Sequence, residues 1–142
     1  METLKAVATG LAGSTALTGL HQSLRHKKGT PRVDLLGEQA ILKFMGGRSK
    51  LNKNQSYYGS LAADIFSNSI YYGTIASAKS PVFRGLVMGL LAGYMAVISP
   101  ELLGLKKKYV KSTQKKKYMT IGYYTFAGLV AGLTAKLLKT KN

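Results

Sequence analysis

Apolar and polar positions alternate in long blocks along this chain, with no short-period strand pattern. Four windows, residues 6–24, 55–78, 85–100 and 118–135, are nearly free of charge, and strongly basic segments separate them. A water-facing helix repeats charge on one face with a period near 3.6 residues. These windows show no such face. About 20 mostly apolar helical residues cross a bilayer core, and each window approaches that length. The pattern therefore predicts an all-α, polytopic membrane protein of one domain, 1–142. Its four-helix transmembrane bundle would have spans near 4–24, 55–78, 82–100 and 118–138.

Small residues repeat every fourth position within the windows. Gly85, Gly89 and Gly93 form one stripe, and Gly128 and Gly132 another beside Ala127, Ala131 and Ala135. Ala6, Gly10, Ser14 and Thr18 repeat the spacing in the first window; Gly59, Ala63 and Ser67 do so in the second. Glycine disfavours a soluble helix by ~1 kcal/mol relative to alanine. Within a membrane, small residues let helices approach closely. The expected fold thus has glycine-lined helix contacts.

Charge sharpens the topology. The chain carries 21 Lys and Arg against 5 Asp and Glu, a net +16. Fifteen of those cations sit in two connections, 25–54 and 101–117. Basic loops favour the cytoplasmic side, and four spans put both connections there. The expected location is a bacterial inner membrane, with both termini on the extracytoplasmic side. In "TPRVDLLGEQAILKFMGG", Pro31 opens and Gly46–Gly47 close a short amphipathic helix at the interface between spans one and two. The 105–117 stretch, "LKKKYVKSTQKKK", reads as a flexible loop whose Lys106, Lys107, Lys108, Lys115, Lys116 and Lys117 attract anionic lipid.

Candidate chemistry is sparse. The chain has no cysteine, which excludes disulfides and thiolate catalysis. With only His21 and His26 as imidazoles, no metal site is expected, and no cofactor. No nucleophile elbow or phosphate loop is present, so no catalytic residue is assigned. A nucleic-acid binder would mix its cations through amphipathic helices, so nucleic acid is not an expected partner.

One ionisable group stands out. Asp64, in "SLAADIFSNSIYYG", is the sole acid inside a charge-poor window. A buried acid in a membrane needs a partner. His21 and Gln22, one turn inside the end of span one, reach the same layer, with Arg25 one turn beyond. Ser67, Asn68, Tyr71 and Tyr72 continue the polar face of span two. These eight residues form the candidate intramembrane polar cluster, with a His21–Asp64 pair at its centre.

The pattern LH-x-x-x-R, P-R-x-D-x-L-G, then A-x-D-x-x-S-N-x-x-Y-Y resembles a group of small four-span bacterial membrane proteins. His21, Arg25, Asp34, Asp64, Ser67, Asn68, Tyr71 and Tyr72 carry the resemblance over about half the chain. The group has no established activity, so the resemblance implies a fold and no function. The expected role is an accessory or scaffold subunit of a membrane complex, or a homo-oligomer, in contact with anionic lipid. The alternative is a small transporter or proton- or ion-conducting protein that uses the Asp64 layer.

Overall fold

The computed structural model describes residues 1–46 and 52–140, and all regular structure among them is helical. The helices are α1 (Glu2–Leu24), α2 (Val33–Phe44), α3 (Lys53–Gly73), α4 (Pro81–Leu102) and α5 (Gln114–Thr140). Short 3-10 turns at Thr74–Ser77 and Lys107–Tyr109 complete the list. Local chemistry sets the ends. Asn52 accepts from the Gln55 amide (2.8 Å) while Gln55 Oε1 accepts from the Asn52 amide (3.0 Å), a reciprocal cap that starts α3. Pro81 opens α4, where a missing N–H is harmless. Gly104, at φ +63°, turns the chain after α4 in a conformation that side chains resist.

The four long helices pack in the neighbour order α3, α1, α5, α4, with α4 against α5 the most extensive contact. Glycine makes that contact possible. A Cβ on Gly85 would stand 2.1 Å from the Gly128 carbonyl oxygen, and one on Gly128 equally close to the Gly85 carbonyl. Gly89 faces the Tyr124 carbonyl, Gly93 the Ile121 Cα, and Gly132 the Pro81 carbonyl. Gly10 does the same for α1 against α3, where a Cβ would meet the Ser69 carbonyl at 2.0 Å.

The interior is built from small and hydroxyl-bearing residues. Ala127, Ala131, Thr9 and Thr120 have no exposure, and Leu17, Tyr72 and Ile75 supply most of the bulk. The Tyr72 hydroxyl donates to the Tyr124 carbonyl (2.9 Å), and Tyr71 donates to the Met88 carbonyl (2.9 Å), linking α3 to α4. Large apolar side chains point outward instead: Phe83, Leu91 and Met95 on α4, Phe126, Leu133 and Leu137 on α5.

Three expectations need correction. Five helices form where four spans with an interfacial helix were expected, and only two of the five are long and apolar enough to cross a membrane. Those two are α4, with mean hydropathy 1.7, and α5, with 1.3. The helix α1 fails because Thr9, Ser14, Thr15, Thr18 and His21 dilute its Leu and Val. Seven Ser, Asp and Asn residues dilute α3 in the same way. These stretches lack charge without being rich in hydrocarbon. The four-span transmembrane bundle is therefore withdrawn, and with it the placing of both termini outside, which depended on four crossings.

The third correction concerns the second basic connection, which is packed. Val110 is fully buried, the Tyr109 carbonyl accepts from the Arg32 amide (2.9 Å), and Lys111 pairs with Glu101. Gln39 Oε1 accepts from the Lys106 amide (3.1 Å), and Lys43 donates to the Leu103 carbonyl. Both basic connections thus lie at one end of the bundle. Gly47, Arg48 and Lys50, and the Lys107 side chain, fall outside the described residues.

Gly128→Ala should force α4 and α5 apart and destabilise by about 1–3 kcal/mol, the range for overpacking a tight contact. Gly122, on the same helix, has open space where its Cβ would go. Gly122→Ala should therefore be neutral or raise stability by up to ~1 kcal/mol through helix propensity. Thermal unfolding of both variants in detergent compares them directly.

Candidate functional site

The polar site lies at the basic end of the bundle and centres on Asp34. The last turn of α1 presents His21 and Gln22, and Arg25 follows at the helix end on the same side. A turn then brings the chain back, with Thr30 Oγ1 donating to the Lys27 carbonyl (2.8 Å). Pro31 and Arg32 lead into α2, whose first turn carries Asp34, where the helix dipole favours a negative charge.

Asp34 is 5% exposed at its side chain. Arg32 grips it with two bonds, Nε to Oδ1 at 2.9 Å and Nη2 to Oδ2 at 2.7 Å, the paired geometry guanidinium favours. His21 Nε2 stands 3.6 Å from Oδ1 and Arg25 Nη1 3.8 Å from Oδ2. Arg25 also donates to the Tyr57 hydroxyl (2.6 Å) and lies 5.3 Å from that ring's centroid. The Gln22 amide meets the same hydroxyl at 2.8 Å. Gly37 lets α2 settle onto α3, since a Cβ there would meet Ser60 Oγ at 2.4 Å.

Burial raises the Asp34 carboxyl, but the hydrogen bonds and charge of Arg32, with His21, bring it below its ordinary range. Burial pulls the His21 imidazole down, only partly opposed by Asp34. The His21 ring also bonds the Pro31 backbone, which has only a carbonyl to offer. Its Nε2 has no hydrogen-bond partner among the described residues, nor does the Tyr123 hydroxyl. Both residues line a cavity of about 30 Å³ between α1, α2, α3 and α5.

The expected cluster is only partly assembled. His21, Gln22 and Arg25 do converge, but the His21–Asp64 pair is replaced by His21–Asp34. Asp64 lies on the cavity wall and accepts from Asn68 Nδ2 (3.1 Å), one turn along its own helix. That helix is outside the two span candidates, and burial raises the Asp64 carboxyl, with Asn68 opposing. Ser67 donates to the Asp64 carbonyl and is exposed. Tyr71 and Tyr72 belong to the helix core. Sequence reasoning missed Asp34 as the hub, Arg32 as its partner and Tyr57 as the partner of Gln22 and Arg25. The available signal was an Arg-x-Asp step holding one of the few acids in a basic segment.

Among the described residues no group of three or more His, Cys, Asp or Glu side chains is placed to hold a metal ion. The chain matches no protein-family model, no curated protein and no solved structure.

Removing one partner of a buried ion pair costs ~3–5 kcal/mol. Arg32 is about one-third exposed, so water softens that figure. Asp34→Asn should cost on the order of 2 kcal/mol. Asp64→Asn, which removes a charge that no cation balances among the described residues, should leave stability unchanged or raise it. Equilibrium unfolding at neutral pH distinguishes the two, and equal losses would contradict this account.

Proposed function

We propose that this protein is a membrane scaffold: a helical hairpin, α4–α5, inserted in the inner membrane, with α1 and α3 packed against it. It acts through packing, as an accessory subunit of a complex or as a homo-oligomer. The observation that carries this reading is the inverted distribution of side-chain size. Glycine and alanine line the α4–α5 contact, while Phe83 (68% exposed), Leu91 (56%) and Leu137 (64%) face outward. Water-soluble monomers rarely present so continuous an apolar surface. Only 22% of the apolar window of α4 and 39% of that of α5 are buried within the protein, which suits lipid contact better than a soluble core.

The basic end orients the hairpin. Lys106, Lys108, Lys115, Lys116 and Lys117 gather there, with Lys27 and Lys28 in the first connection, and this end faces the cytoplasmic leaflet and its anionic headgroups. The partner surface is the other side of the molecule. Leu4, Val7 and Leu11 on α1 and Phe66 and Ile70 on α3 are exposed, although these helices are too polar to cross lipid unaided. Val7, Leu11, Phe66 and Ile70 line an apolar groove of about 870 Å³ that a neighbouring subunit would cover. A conducting role needs a continuous polar path. The cavity beside Asp64 holds about 30 Å³, so the scaffold reading is preferred.

Fractionation tests this directly. The protein should sediment with membranes, resist an alkaline carbonate wash and require detergent for release. Recovery in the soluble fraction overturns the proposal. In mild detergent the protein mass in the particle should exceed one 15.3 kDa chain, through self-association or a co-purifying subunit.

A further inference from the structure

Helix packing leaves one buried base unused. The His21 side chain is 9% exposed, and its Nε2 has no hydrogen-bond partner among the described residues. The Tyr123 hydroxyl, likewise unpartnered, lines the same cavity, and its ring lies 6.3 Å from the imidazole, edge to face. A cavity of about 30 Å³ has room for a water molecule. Nε2, the Tyr123 hydroxyl and the carboxylates on the wall supply the polar partners such a water needs. We propose that this cavity is a proton-uptake site: His21 accepts a proton at Nε2, and the added charge loosens the docking of α2.

Burial sets the direction for His21; among the charges Asp34 favours the protonated ring, while Arg32 and Arg25 oppose it. Arg25 faces it from α1, and Arg32 and Asp34 from the start of α2. Tyr57 and Asp64 line the cavity from α3, and Tyr123 from α5. Asp34 already has both oxygens engaged by Arg32, with Arg25 beside it. A protonated His21 would be a third cation around one carboxylate. Asp64 accepts instead from Asn68 Nδ2 (3.1 Å) on its own helix.

Linkage gives the same sign. Burial holds the folded-state His21 below its ordinary value of 6.5. The unfolded chain therefore binds the proton first as pH falls. The stability associated with neutral His21 is full above that ordinary value and is lost as pH drops through the folded-state value. Asp34 acts in a separate window: its contribution is present above its ordinary value of 3.8 and disappears at more acid pH.

The responding element is α2, because its attachments are few. Leu36 is its one buried residue, Gly37 rests on Ser60, and Arg32 and Gln39 tie it to the second connection. The other helices are held by backbone contacts through glycine, which no titration alters.

A chain without cysteine permits clean labelling. Phe44 on α2 and Tyr118 on α5 are both exposed, and nitroxides at Phe44→Cys and Tyr118→Cys report their separation by pulsed electron resonance. In detergent the pair should give one narrow distance at about pH 8. A longer population should grow in toward about pH 5, with the midpoint of the His21 imidazole NMR titration in a His26→Gln background. His21→Gln should hold the single distance throughout. An unchanged distribution in the parent, or a parent-like response in His21→Gln, overturns the proposal. If His21→Gln does not fold, the midpoints decide: coincidence supports the proposal, and separation by a pH unit or more overturns it.

Discussion

Where α4 meets α5, two backbones touch. Gly85 and Gly128 each lie where a single added carbon would stand 2.1 Å from the opposite carbonyl oxygen. Helices that close cannot place Leu or Phe between them, so this contact is lined by glycine and alanine. The bulky apolar residues then have only the outside to occupy. The exposed Phe, Leu and Met of α4 and α5 follow from this packing. So does the need for a surrounding phase, lipid or protein, that accepts them.

The same constraint shapes the polar end. A bundle whose inner layer is small and whose hydroxyls bond to carbonyls has no large hydrophobic cap. Here α2 serves as the cap, and the ties that hold it are largely polar. A carboxylate between Arg32, Arg25 and His21 anchors its first turn, and bonds from Gln39 and Lys43 reach the second connection. Buried ion pairs add little net stability compared with apolar packing but are costly to break. Such an anchor specifies one docking position for α2 and makes that position responsive to charge.

Polar residues also divide the long helices by role. The pair α4 and α5 combines length with hydrocarbon, and α1 and α3 substitute hydroxyls and amides for much of it. Several of those groups are satisfied within their own helices, as in Ser69 to Ile65 and Asn68 to Asp64. Their exposed apolar residues Val7, Leu11, Phe66 and Ile70 line one outward groove. In the proposed scaffold, that division gives the hairpin side to lipid and the side of α1 and α3 to another polypeptide.

By itself the sequence determined the helical class, through long charge-poor windows and the absence of strand alternation. It also displayed the fourfold spacing of Gly85, Gly89 and Gly93. It did not determine how many of those windows suit hydrocarbon, because absence of charge is a weaker condition than apolarity: serine, threonine and asparagine are uncharged yet well hydrated. The partner of His21 was also beyond reach. Asp64 and Asp34 both lie at plausible helical positions, and the choice depends on the turn at Thr30–Pro31 folding α2 back over the bundle end. Side-chain spacing along one helix is a local property carried by the residues themselves. Which acid meets which base is settled by the path of the connection, and that path exists only once the helices have packed.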